Sequence, residues 1–246
     1  MLPTISSARI NLTDHTILCV DTDIEEIIAR FDIQAPFNGD YQFSYNVASS
    51  HSVLSIINDG SNNRLGYLRW GLIPFWAKDE KIGYKMIKAR AETLAEEPSF
   101  KNAYKKKRCL ILAESFYEWK KTPERKIPMR IKLKNSAPIG MAGLWETWKS
   151  PDGPTIYTCS VITPFSNELM SNIHDRMPVI LKPEDEKVWL DPSINDTDFL
   201  QQYLKPFDAE QMEAFEVSPD VNSPKNNSPN LIQHQEFQAY EMVVRG

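Results

Sequence analysis

Between Asp23 and Phe31 the apolar residues Ile24, Ile27, Ile28 and Phe31 recur at intervals of three and four, which gives one oily face. With Asp21, Thr22 or Asp23 available as a cap, that spacing predicts a short amphipathic helix. Beyond it the pattern shortens. Runs rich in branched and aromatic residues predict strands at 52–57, 64–72, 108–119, 128–133, 139–145, 156–163 and 177–181. Turn chemistry separates them, as in Asp59-Gly60-Ser61-Asn62-Asn63 and Ser150-Pro151-Asp152-Gly153. Further helices are predicted at 91–106, 183–190 and 196–204.

Many short strands with few intervening helices do not make a repeating βαβ pattern. The expected class is therefore α+β, a curved, mostly antiparallel sheet or barrel flanked by short helices. The stretch 218–229, rich in Ser, Pro and Asn, reads as coil closing onto the body. At 246 residues, 41% hydrophobic and 25% charged, the composition fits one globular domain without a linker. No apolar run is long enough to cross a bilayer, and no signal segment opens the chain, so residence in the cytoplasm is expected. Cys19, Cys109 and Cys159 are widely spaced, which suggests neither a zinc site nor a disulfide framework; they read as reduced thiols, two of them in the core. Net charge is −5, which weighs against a protein that coats duplex DNA nonspecifically but leaves room for a local basic cleft. The densest run, Lys105-Lys106-Lys107-Arg108, reads as a solvated helix end.

Three segments carry polar residues that a fold alone does not require. In Arg69-Trp70-Gly71-Leu72-Ile73-Pro74-Phe75-Trp76-Ala77-Lys78, aromatics beside cations suit single-stranded nucleic acid, because bases stack on rings while cations meet phosphate. The same rings would also fill a core edge, which is where aromatics more often lie. In the second segment, around Phe116-Tyr117-Glu118-Trp119-Lys120, strand alternation puts Glu118 on the face of Phe116. A carboxylate on an apolar face is suited to general acid or base work; the alternative is an edge glutamate paired with Lys120 or Lys121. The third, Asn172-Ile173-His174-Asp175-Arg176-Met177-Pro178, offers a histidine for proton transfer and an arginine for an anion, or a plain capping turn.

Taken in order, Tyr45-Asn46-Val47-Ala48, Arg69-Trp70-Gly71-Leu72-Ile73-Pro74, Ala89-Arg90-Ala91-Glu92-Thr93, Phe116-Tyr117-Glu118-Trp119-Lys120 and Ile173-His174-Asp175-Arg176-Met177-Pro178 resemble the motif series of the SOS-response-associated peptidase (SRAP) family, the abasic-site-processing proteins. The resemblance runs from about Asp21 to about Ile232, which divides the chain into an atypical leader at 1–20, the domain at 21–235 and a tail at 236–246. It implies single-stranded DNA bearing abasic sites as partner, no cofactor, no metal and a monomer. It further implies Glu118 and His174 as catalytic groups, Arg90 and Arg176 as phosphate ligands, Phe75 and Trp76 as a wedge against bases, and Asn46, Trp70 and Lys88 as further DNA-binding positions. In the family an N-terminal cysteine, freed of its methionine, closes a thiazolidine with the abasic aldehyde.

This sequence departs from that pattern. Leu2 stands at the nucleophile position, Lys88 replaces an asparagine and Ser49 replaces a proline. Loss of the thiazolidine is therefore expected, with an alternative start or a frameshift accounting for the leader; Cys19 lies too close to the first helix to substitute. The amine of Lys88 is a candidate for a Schiff base of its own. Two alternatives stand beside abasic-site binding: a self-processing or general peptidase, for which no nucleophile beside a base is evident, and an inactive remnant that no longer binds DNA.

Overall fold

A computed structural model describes residues 16–151 and 153–235. Among them two sheets face each other. One has five strands in the order β11 (Met212–Glu216), β8 (Lys126–Leu133), β7 (Ser115–Lys121), β1 (Ile17–Val20) and β2 (Ser44–Val47), all antiparallel. The other has six, ordered β4 (Asn63–Trp70), β3 (Ser52–Asn58), β6 (Arg108–Ala113), β9 (Ile139–Lys149), β10 (Thr155–Thr163) and β5 (Lys88–Arg90). It closes on itself, because one edge of β10 pairs in parallel first with β4 at Thr158 and Cys159, then with β5 from Val161 to Thr163. The predicted α+β class with a barrel-like, mostly antiparallel sheet describes this architecture.

The apolar run at 108–119 is two strands rather than the one predicted. At Glu114 the backbone N–H donates to the carbonyl of Cys19 on β1 (3.0 Å), and its carboxylate accepts the N–H of Asp21 (2.7 Å). These bonds bend the chain, so β6 stays in the closed sheet while β7 enters the other. β6 shows no polar alternation because both its faces are covered. Leu110 and Leu112 pack toward the helices, whereas Cys109, Ile111 and Ala113 pack between the sheets. β1 lies inside the stretch expected to be leader, with all four of its residues buried, so the sheet begins ahead of Asp21.

The first helix, α1 (Ile24–Arg30), falls where the periodicity puts it. The helix expected at 91–106 does not run through: a 3-10 turn at Ala91–Thr93 is separated from α2 (Lys101–Lys106) by a segment holding Pro98, which lacks an N–H and disfavours a helical residue before it. α3 (Glu168–Ser171) was not predicted; α4 (Pro183–Leu190) was, and has proline at its first turn with Glu184, Asp185 and Glu186 where the helix dipole favours acids. α5 (Thr197–Gln201) is shorter than predicted. The segment 177–181 is extended, but it joins the sheet by one bridge, Met141 with Ile180.

The basic run ends differently from expectation. Arg108 is buried and donates to the carbonyls of Trp189 (2.7 Å), Tyr104 (2.9 Å), Lys105 (2.8 Å), Asp191 and Ile194 (2.8 Å), and Lys107 pairs with Glu146. Its guanidinium therefore ties the end of α2 to the end of α4, and burial pushes its pKa down to about 10. All three cysteines are buried.

A candidate nucleic-acid interface between the two sheets

Along β7, Phe116 and Glu118 share one face, while Tyr117 and Trp119 pack on the other with the C-terminal segment. Glu118 therefore points into the space between the sheets, with only 3% of its side chain exposed. Its Oε1 accepts from the Nζ of Lys88 at 3.2 Å and from the hydroxyl of Thr16. Lys88 belongs to β5, at the edge of the closed sheet, and its side chain keeps 23% exposure. The pair is thus built from both sheets, a buried carboxylate with a partly exposed lysine. Among the described residues Glu118 Oε2 has no hydrogen-bond partner.

Trp70, expected in part as a DNA ligand, is a core residue at 1% exposure. Its indole N–H donates to the carbonyl of Ile87 (2.8 Å), so it cannot stack on a base; instead it ties the end of β4 to the residue before Lys88. Past it the chain leaves the core. Phe75 and Trp76 are 58% and 50% exposed. Their loop is held at the base by Gly71, whose φ of +129° and approach to the carbonyl of Gly83 leave no room for a side chain. It is held further by the bonds from Ile73 N–H to Thr158 Oγ1 (2.9 Å) and from Trp148 Nε1 to the carbonyl of Ala77 (2.8 Å). Two large rings are therefore presented to solvent by a fixed turn.

Asn46, also expected at the interface, is buried. Its Nδ2 donates to the carbonyls of Val221 (3.2 Å) and Ser223 (2.9 Å), which pins the C-terminal coil against β2. The coil closes onto the body through Val221 and Leu231, packed with Ile17, Tyr117 and Trp119.

Arg90 follows Lys88 by two residues on β5, so the two side chains lie on the same face. Arg90 is exposed, with no hydrogen bond or ion pair among the described residues. Arg176 is already engaged: its guanidinium meets both oxygens of Glu92 (2.8 and 3.2 Å) and the carbonyl of Thr163. Its charge is thus largely spent within the protein, which weakens it as the phosphate ligand expected. His174 is half-buried beside it, with Nδ1 3.1 Å from the amide N and the carbonyl O of Arg176 and 3.2 Å from Asp175. Unprotonated, Nδ1 accepts the amide N–H; protonated, it faces the carbonyl and the carboxylate. No hydrogen bond joins His174 to Glu118 or Lys88.

Phe165 carries no motif signal, yet it is 65% exposed with the guanidinium of Arg176 4.8 Å from its ring centre. It lies two residues beyond Thr163, the register partner of Arg90. An unusually exposed aromatic can be recognised only once the fold is known. A cavity of about 540 Å³ lies elsewhere, between α1, α4 and the β3–β4 turn. Its buried acid, Glu186, is held by both nitrogens of the Arg30 fork (2.8 and 3.0 Å), so it offers no free chemistry. No group of three His, Cys, Asp or Glu side chains among the described residues is placed to hold a metal, and no helix is long and apolar enough to cross a membrane.

The family described as SOS response associated peptidase (SRAP) matches residues 17–224. The abasic site processing protein YoqW of Bacillus subtilis is 61% identical over 214 residues, covering 86% of this chain and 96% of that protein. HMCES of Xenopus tropicalis, also called an abasic site processing protein, is 34% identical over 223 residues, covering 78% of this chain and 66% of its own length. Among solved structures, a protein from Bacteroides thetaiotaomicron superposes with a TM-score of 0.80 at 32% identity, over 89% of this chain and 99% of that one. On the length of that match and the degree of those identities, the chain belongs to the SOS response associated peptidase (SRAP) family.

Proposed function

We propose that this protein binds single-stranded DNA at abasic sites and processes the exposed sugar. The observation that carries the reading is the fixed turn that presents two exposed rings, Phe75 and Trp76, in a protein whose two sheets also bring the Lys88–Glu118 pair together. Exposed rings give unpaired bases a stacking surface, and paired bases cannot reach it. Arg90, exposed and without an ion pair among the described residues, supplies a cation for the phosphate backbone on the face of Lys88. The names of the relatives, abasic site processing protein, point to the same substrate. Glu118 takes the role of acid–base group toward the sugar, and His174 that of a second proton carrier at the Arg90 end.

A thiazolidine is not part of this proposal. The three cysteines are buried within strands. General peptidase activity has no observation in its favour: Ser115 lies on the face of β7 opposite Glu118, where its Oγ accepts from Arg130 Nε (2.8 Å). Fluorescence anisotropy tests the reading, using a single strand carrying a tetrahydrofuran abasic analogue, the intact single strand and a duplex. The order of affinity expected is analogue, intact strand, duplex. Equal or tighter binding to the duplex would overturn it.

A further inference from the structure

We propose that Lys88 is the nucleophilic amine of this site, forming a Schiff base with the ring-opened abasic sugar, and that Glu118 then drives cleavage of the strand by β-elimination. This rests on the binding function proposed above and adds a reaction to it. Three features of the pair carry the inference. The amine is the partly exposed member and the carboxylate the buried one, so an incoming aldehyde meets Nζ first. Their 3.2 Å separation lets the ammonium pass its proton to Glu118 Oε1, which generates the neutral amine the attack needs. Finally, the Thr16 hydroxyl donates to the same Oε1, which holds the carboxylate turned toward Nζ.

The steps balance. Neutral Nζ adds to C1′ of the aldehyde and gives a carbinolamine. Glu118 returns its proton to the carbinolamine hydroxyl, which leaves as water while the C=N⁺ bond forms. The iminium withdraws electrons from C2′, so the carboxylate of Glu118 removes a C2′ proton. The C–H electron pair becomes the new C=C bond as the C3′–O bond breaks, and the 3′ phosphate departs with that bond's electrons. Water then hydrolyses the imine, which releases Lys88 and an unsaturated aldehyde on the 5′ fragment. No oxidant, metal or cofactor enters.

An ion pair alone is common to many lysines, so the test must read chemistry rather than charge. A single strand with one natural abasic site is incubated with the full chain and sodium borohydride, then resolved on a denaturing gel; peptide mass mapping locates the adduct. The expected result is a trapped adduct on Lys88, reduced at least 100-fold in both Lys88→Ala and Lys88→Arg, the second keeping the cation but losing the amine. In Glu118→Gln both readouts fall at least 10-fold, trapping because the carboxylate no longer takes the proton from Lys88 before attack, and strand cleavage without borohydride because it no longer removes the C2′ proton; cleavage at the wild-type rate in this variant overturns the role of Glu118. Thermal unfolding confirms that each variant is folded. An adduct that survives Lys88→Ala or maps to another residue overturns the inference. Wild-type protein that binds the tetrahydrofuran analogue but yields no adduct overturns this inference alone; absence of binding to the analogue overturns the function beneath it.

Discussion

Trp70 and Trp76 are six residues apart in one motif, and the structure gives them opposite work. Replacing Trp70 with alanine empties a fully enclosed site and strips the indole N–H from the carbonyl of Ile87. Burying and then deleting a ring of this size costs about 3 to 5 kcal/mol, and for a protein of this length each kcal/mol moves Tm by roughly 2–4 °C. Trp70→Ala is therefore expected to melt roughly 6–20 °C lower, and any protein that remains folded should bind single-stranded DNA as the wild type does. Trp76→Ala removes a half-exposed ring that the core does not need. Its Tm should stay within about 2 °C, since surface substitutions usually cost under about 0.5 kcal/mol, while loss of a stacked base at about 1–3 kcal/mol weakens binding roughly 5- to 150-fold. Differential scanning fluorimetry and anisotropy titration on the same samples read both numbers. A Trp70 variant that weakens binding at unchanged Tm, or a Trp76 variant that lowers Tm at unchanged binding, would refute the assignment.

Asn46→Ala removes two neutral hydrogen bonds that hold the C-terminal coil, which lowers stability in urea by about 2 kcal/mol and should leave affinity for DNA intact. Arg90→Ala should flatten the plot of log affinity against log salt by about 0.7, the amount expected for one phosphate contact on a single strand; an unchanged slope places the phosphate elsewhere. Burial raises the pKa of Glu114 from its ordinary 4.5 to about 7, so the folded protein favours the protonated acid. Stability from this group is fully present below about pH 4.5 and is lost as pH climbs to about 7, a change of up to about 3 kcal/mol. Glu114→Gln, which keeps an oxygen for the Asp21 N–H, should show a flatter stability profile across that range by urea titration.

What periodicity could reveal, it revealed: α1 and α4, and the strands at 52–57, 128–133 and 156–163, follow from local spacing. The break at Glu114 does not, because it is made by a hydrogen bond to a strand almost a hundred residues earlier. Burial of Trp70 against exposure of Trp76 is likewise a tertiary fact; residue type is the same, and only the route of the chain after Gly71 separates them. Arg108 looked like the last of four solvated cations, and became a buried clamp because five carbonyls from α2, α4 and the following loop converge on it. Ile17 to Val20 is an apolar run that passed for leader because it precedes the first motif. Within the site, motif order was enough to single out Glu118 and Lys88 separately. Their contact was not legible, since it depends on β5 pairing with β10 and on how the sheets are docked.

That docking has a consequence for how the protein fails. Since the amine and the carboxylate sit in separate sheets, neither sheet alone carries the proposed reactive pair, and a slip of one against the other by an ångström or two parts Lys88 from Glu118 while every strand stays paired. Under mild heating or denaturant, covalent capture of the sugar should vanish ahead of the far-ultraviolet signal, so that lost turnover is the earliest symptom of a loosening interior.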